Sequence, residues 1–379
     1  MAQMITHSAD PSGEPIPFRR RLARVHWLSW TSLGLVLAGA VYAIVWFQVA
    51  TALRGGIEAW AAQQRAKGVE IGFEHLRIEG FPLAWRARIE APLIQASAPA
   101  TADTGAAAAR RLLWRWRPQG VTLTLKPWRP GTWLIDAPGA HAFEFATGEG
   151  MRKITGEIDR LQARYAGAAG GGVLSVTAGA ASGVAEPGGE FAFGGLSFDG
   201  RLPPAEGTPD HLTVTAQGTL NATAIRLPAA WASPLAPTVE TVTVALQVMG
   251  RIASTFDAVA LADWRDDGGT IEVTALAFTH GTLTVDASGT VALDRDLQPI
   301  GAFTAKAQGF LQAVDALQAA GVIAPRDAVT ARIVLSALAR RDGAGAASLS
   351  VPVQIQAGLL HAGPVPILRL PKLTWPGSE

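Results

Sequence analysis

Trp27 to Leu53 carries no charged residue and follows directly on a basic run, Phe18-Arg19-Arg20-Arg21-Leu22-Ala23-Arg24. As a helix rising about 1.5 Å per residue, this stretch crosses a hydrocarbon layer of about 30 Å with length left for tilt. Arginines crowd its N-terminal side and only Arg54 follows closely, a bias that keeps the short N-terminus in the cytoplasm and sends the rest of the chain across the membrane. Trp27, Trp30, Tyr42, Trp46 and Trp60 stand at or near its ends, where amphipathic rings suit the interface. A cleaved signal peptide is the competing reading, because Ala38-Gly39-Ala40 has the small-x-small pattern. The apolar run continues unbroken through Val41–Phe47, which favours a retained single-pass membrane anchor. Either reading exports the chain.

The exported part has room for a substantial core: the chain has 379 residues, 49% hydrophobic and only 17% charged, with 41 Gly and 24 Pro. A net charge of +1 argues against a nucleic-acid partner, which selects a strongly basic domain. Without cysteine there are no disulfides, thiolate metal sites or cysteine nucleophiles.

Residues 1–17 are polar and read as a cytoplasmic tail. The segment 18–67 holds the basic flank, the span and its helical extension, in which Ile57, Trp60 and Ala61 recur at i, i+3, i+4. From 68 to 379 the pattern is that of strands. Leu83, Trp85, Ala87 and Ile89 alternate with Arg86, Arg88 and Glu90, and the turn Gly80-Phe81-Pro82 precedes them. Gly80 is expected in a conformation costly for residues with a Cβ, and Pro82 presets the entry into the strand. Ala96 to Ala109 is small and polar and reads as a flexible loop insertion. Ala166 to Gly172 reads as a hairpin or loop, since no Lys-Ser/Thr follows its glycines as a phosphate loop requires.

Short alternating runs then recur at Glu190–Phe193, Gly195–Gly200, His211–Thr215, Thr241–Leu246, Thr270–Val273 and Gly281–Asp286, separated by turns such as Asp266-Asp267-Gly268-Gly269. An antiparallel meander is the economical topology. Helical spacing returns only at Phe310, Leu311, Val314 and Leu317, and again from about Arg326 to Arg341, a short helical hairpin over about 310–341. The prolines of Gly363–Pro371 remove ladder donors and mark an edge strand or an extended lid. The expected fold class is therefore mainly β with one N-terminal transmembrane helix: a curved antiparallel sheet, β-groove or β-roll, plus the helical hairpin.

Chemistry is sparse. The histidines at 7, 26, 75, 141, 211, 280 and 361 form no pair with metal-ligand spacing, the paired aspartates sit in turns, and no nucleophile elbow or S-x-x-K pair occurs. No catalytic residue, metal or cofactor is assigned, and the chain does not read as an enzyme. The oddest stretch is Leu112-Leu113-Trp114-Arg115-Trp116-Arg117. On a strand Leu112, Trp114 and Trp116 share one face, while Leu113, Arg115 and Arg117 share the other. Trp114, Arg115, Trp116 and Arg117 are accordingly candidates for lipid contact, with the tryptophans at the mouth of a groove and the arginines steering anionic headgroups. The alternative is an edge strand with core tryptophans and solvated arginines.

The basic-flanked span, Gly80-Phe81-Pro82-Leu83-Ala84-Trp85-Arg86, Leu261-Ala262-Asp263-Trp264, Gly289–Asp294 with Pro299-Ile300-Gly301, the Leu311–Ile323 segment and the ending Val351–Leu359 with Gly363–Pro366 and Leu370–Trp375 together resemble the alphaproteobacterial family of domain of unknown function 2125. That resemblance covers most of the chain after residue 18 and implies topology and location, a single-pass anchor in the inner (plasma) membrane with a periplasmic main domain, more than activity. More distantly, one span followed by repeated hairpins is similar to the AsmA-like envelope proteins, some of which are thought to carry lipid along β-grooves, an analogy of fold alone. Membrane lipid is thus the expected partner. Other envelope proteins are the alternative, with the chain as a scaffold or assembly factor.

Overall fold

The computed structural model describes residues 19–379 except 67, 100–109, 148–149, 169–170, 204–209, 230–232, 252–256, 342–346, 364, 374 and 376–379. The expected tail at 1–17 and the loop at 100–109 lie outside the described residues. The chain divides into two compact units, residues 1–56 and 57–379.

The first unit is one helix, α1 (Arg19–Ala66), up to Gly56. Its stretch from Trp30 is long and apolar enough to cross a membrane, with a mean hydropathy of 2.0. Leu33, Leu35, Val36, Leu37 and Phe47 all face outward.

The second unit begins with seven long strands, each bent once. β1 (Val69–Gly72) runs on into β2 (His75–Glu79), β3 (Trp85–Glu90) into β4 (Leu93–Pro99), and β5 (Arg110–Pro118) into β6 (Gly120–Lys126). In the same way β7 (Arg129–Asp136) continues as β8 (Gly139–Thr147), β9 (Gly150–Ile158) as β10 (Leu161–Ala168), β11 (Gly171–Ala178) as β12 (Ala181–Glu186), and β13 (Gly189–Phe193) as β14 (Gly195–Leu202). Neighbours pair on both sides of every bend: β2 with β3 and β1 with β4, then β3 with β6 and β4 with β5, then β6 with β7 and β5 with β8. The outcome is one antiparallel meander folded along a crease into two limbs. Limb one holds β1, β4, β5, β8, β9, β12 and β13, and limb two holds the others.

Pro92, Pro138, Gly179 and Gly194 lie at the crease, where a ladder donor is missing or no side chain obstructs the bend. Backbone bonds stitch the fold line, among them Gln119 N to Ala140 O at 2.8 Å, Ala137 N to Leu161 O at 2.8 Å and Gly179 N to Arg160 O at 2.7 Å. Polar backbone at the bend is thus satisfied within the sheet.

Beyond limb two the meander continues through β15 (Val214–Arg226), β16 (Thr238–Met249), helix α2 (Ala258–Asp266), β17 (Thr270–His280), β18 (Leu283–Leu293) and β19 (Pro299–Gln308). Helices α3 (Phe310–Ala319) and α4 (Pro325–Leu338) follow, then β20 (Arg340–Arg341), β21 (Ala347–Gln356), β22 (Leu359–Ala362) and β23 (Val365–Arg369). β21 pairs with β19, so the helical hairpin interrupts the strand order without breaking the sheet. β23 is the edge strand, paired with β22.

The structure corrects several expectations. α2 is a further helix outside the hairpin, begun by Asp257, whose carboxylate accepts from Ala260 N at 2.8 Å. Its Trp264 is buried, with Nε1 donating to Met249 O at 2.8 Å. The last helix stops at Leu338, because Arg340 and Arg341 pair with Ser348 and Ala347 instead. Ala96–Pro99, expected in the loop insertion, belong instead to β4, held by the ladder to β5. The strand expected from Leu83 starts at Trp85, since Gly80 O takes bonds from both Leu83 N and Ala84 N. His211–Thr213 form a turn before β15, tied by Thr213 Oγ1 donating to Asp210 at 2.6 Å.

Candidate functional site

Strict alternation fixes the two faces of the folded sheet. Following the cross-strand register, one row runs Ile78, Ala87, Leu123, Ile135, Ala163, Val176, Phe198, Leu220, Val244, Leu276, Ala287, Ala305, Val351 across thirteen strands without a polar residue. A second row beside it runs Trp85, Leu125, Trp133, Tyr165, Leu174, Gly200, Gly218, Leu246, Val273, Gly289, Phe303, Val353. Gly200 and Gly218 make room for Phe198, whose ring carbons lie 2.9 and 3.0 Å from where their Cβ atoms would be. The row on the opposite face is polar: Arg77, Arg88, Thr122, Asp136, Gln162, Thr177, Ser197, Asn221, Thr243.

On limb one the inward row is Ile71, Ile94, Trp116, Phe143, Ile154, Ala185. Residues of the two limbs line one cavity of about 360 Å³, which Ile57, Trp60 and Ala61 of α1 also enter. A second cavity, about 420 Å³ and lined by Phe143, Ile154, Phe191 and Phe193, shares Trp116 and Leu161 with the first. The apolar faces of the limbs therefore form one trough. Its walls are open: Leu123, Ile135, Val176, Phe198, Leu220, Val244 and Leu276 are all only half-buried. A packed sandwich of this size would bury such residues completely.

Trp116 lies inside the trough where the cavities meet. Its ring stacks on His141 at 6.0 Å, and its Nε1 donates to His141 Nδ1 at 3.3 Å. His141 Nε2 lies 2.9 Å from Ala137 O, which fixes the proton on Nε2 and leaves Nδ1 as the acceptor. The tryptophan N–H is thus committed to the protein, and its ring carbon is what the trough presents. Trp114 lies on the same face, opposite Phe145.

Arg115 and Arg117 point to the outer face, as alternation requires, and share one carboxylate. Glu144 lies 3.3 Å from Arg115 and 2.6 Å from Arg117. Arg115 Nε also donates to Gln95 at 2.8 Å, and Gln95 in turn to Glu70 at 2.6 Å. With Lys153 opposite Glu144 and 3.7 Å from Glu186, these side chains form a ladder of alternating charge across limb one. Leu112 departs from the expected face. The register shift at Ala96/Ser97 leaves Leu113 unopposed, and Leu112 joins Arg117 and Glu144 around an outer depression.

Gly80 has φ of +103°, and a Cβ there would meet Ala84 O at 2.7 Å. It makes the β2–β3 turn, whose Phe81 and Leu83 stand exposed on the free margin of limb two. Among the described residues no three His, Asp or Glu side chains gather around a point that could hold a metal ion. The sequence reading singled out Trp114 and Trp116 but missed the trough wall of Phe143, Ile154, Phe191, Phe193 and Phe198. Each of these sits in an alternating run, the signal that could have found them.

Residues 46–371 match the family described as "Uncharacterized protein conserved in bacteria (DUF2125)". No curated protein and no solved structure matches the chain, and nothing in these comparisons ties it to the AsmA-like proteins.

Proposed function

The chain belongs to the DUF2125 family, and we propose that it is an envelope protein anchored by α1 in the inner membrane, whose β body lies on the exported side and binds acyl lipid in its trough. The observation that supports this reading is the unbroken apolar row across the folded sheet, most of it only half-buried, whose residues near the crease line the cavity between the limbs. An apolar surface that large on a protein surrounded by water marks a ligand or partner. Acyl chain fits its chemistry, because the walls offer hydrocarbon and aromatic rings with almost no polar group. Ten methylenes fully buried there would contribute about 8 kcal/mol of gross burial energy, before the cost of ordering the chain. The basic flank before the span supports the orientation.

A second reading, a scaffold for other envelope proteins, is favoured by α4, where Val329, Ile333, Val334 and Leu338 are all exposed. Native mass spectrometry of the detergent-extracted full chain separates the two. Phospholipid or fatty acid should accompany the wild-type protein. Trp116→Ala should lower the lipid-bound fraction, whereas Trp116→Phe, which keeps a ring but loses the N–H bond to His141, should retain it. Reproducible absence of lipid from a folded wild-type protein would hand the lead to the scaffold reading.

A further inference from the structure

The margin of limb two carries a feature that the trough does not use. The β2–β3 turn exposes Phe81 (50%) and Leu83 (66%), and the β6–β7 turn exposes Trp128 (59%). These turns are neighbours, because β3 pairs with β6 and sets Trp85 opposite Leu125. Lys126 and Arg129, opposite each other at the base of the second turn, are exposed and have no carboxylate partner among the described residues. Glu79, at the end of β2, is engaged with Arg88 at 4.0 Å. Exposed rings and aliphatic side chains above a pair of free cations are the composition that a lipid headgroup layer accepts.

The proposed anchor and the body are close in sequence. Leu53 ends the uncharged run and Ile57 is already part of the body, so only residues 54–56 intervene. Within the body, the end of α1 lies against the trough, where Ile57, Trp60 and Ala61 line the cavity between the limbs. Arg65 donates to Ile71 O of limb one at 2.6 Å, and Ile57 lines the cavity walled by Ile71, Ile94 and Trp116 of limb one and by Leu123 and Ile135 of limb two.

From this we infer that the limb-two margin formed by the β2–β3 and β6–β7 turns docks on the surface of an anionic bilayer, with Phe81, Leu83 and Trp128 inserted and Lys126 and Arg129 at the phosphates. The inference rests on the membrane anchor proposed above but not on the trough being filled.

Because the chain has no cysteine, single labels can be placed without background. Full-length protein with a nitroxide at Leu83→Cys, Trp128→Cys or Met151→Cys, the last an exposed position on limb one, is reconstituted in nanodiscs of phosphatidylcholine with or without phosphatidylglycerol. Collision rates are read with oxygen, which partitions into lipid, and with a water-soluble nickel chelate. With phosphatidylglycerol, the labels at 83 and 128 should favour oxygen several-fold over the label at 151, and Lys126→Glu with Arg129→Glu should abolish that preference at 83. Labels at 83 and 128 as accessible to nickel as the label at 151 in both bilayers would overturn the docking, as would shielding from both agents only when two copies share a disc. Lipid retained in native spectra while the labels remain aqueous would sink the docking alone. Lipid-facing labels on a protein that never carries lipid would sink the trough reading alone. A melting profile matching wild type for each labelled protein keeps misfolding from imitating either result.

Discussion

Gly80 shows how one residue sets a strand. At φ +103° it occupies backbone space that a Cβ makes costly, and the carbonyl of Ala84 would stand 2.7 Å from that Cβ. Gly80→Val therefore forces the turn to open, at a cost of about 1–3 kcal/mol. For a body this large, the thermal midpoint should fall by several degrees, on the order of 2–4 °C per kcal/mol. An unchanged melting curve would mean that the turn relaxes freely and does not anchor β3. Trp116 makes a different point. Sequence marks it as an aromatic on the inward face, which it is, but its polar atom is used by His141 and not offered to a ligand. No local pattern could reveal that bond, since the partners are 25 residues apart and meet only through the β5–β8 pairing.

At the scale of elements, alternation made the strands legible, and antiparallel order followed from their short spacing. The crease did not. Pro92, Pro138, Gly179 and Gly194 punctuate the sequence just as hairpin turns do, but here the chain bends and keeps its direction. Whether a break reverses a strand or folds it depends on which neighbour pairs on each side, a non-local fact. α2 was missed because its apolar run Ala258–Ala262 is short and rich in alanine, although Asp257 ahead of it was a readable cap. The charge ladder of limb one was equally hidden, because it needs Glu70, Gln95, Arg115, Glu144, Lys153 and Glu186 in register on six strands. Glu144→Ala removes the carboxylate that Arg115 and Arg117 share and leaves two cations side by side. Stability should drop by about 1 kcal/mol at low salt, and the deficit should shrink toward 1 M salt as screening weakens the repulsion. A deficit indifferent to salt would show that packing, and not charge, is what Glu144 supplies.

The whole body is a sheet that never closes on itself, and that decides what its inward face can do. Across thirteen strands the apolar row extends roughly 58 Å, from twelve steps of about 4.8 Å, far longer than either cavity near the crease requires. If acyl chains occupy only those cavities, the rest of the row is redundant. If they occupy its length, several should bind. Substituting Val244 and Leu276, which face each other across β16 and β17, by aspartate places two carboxylates in the middle of the row, where each would be opposed by hydrocarbon on every side. The double variant should then carry fewer lipids per chain than wild type in native spectra, while the lipid that depends on Trp116 remains. A stoichiometry unchanged by Val244→Asp with Leu276→Asp would confine binding to the crease end. Loss of every lipid together, in a protein whose melting profile is intact, would instead mean that the trough fills as one cooperative site.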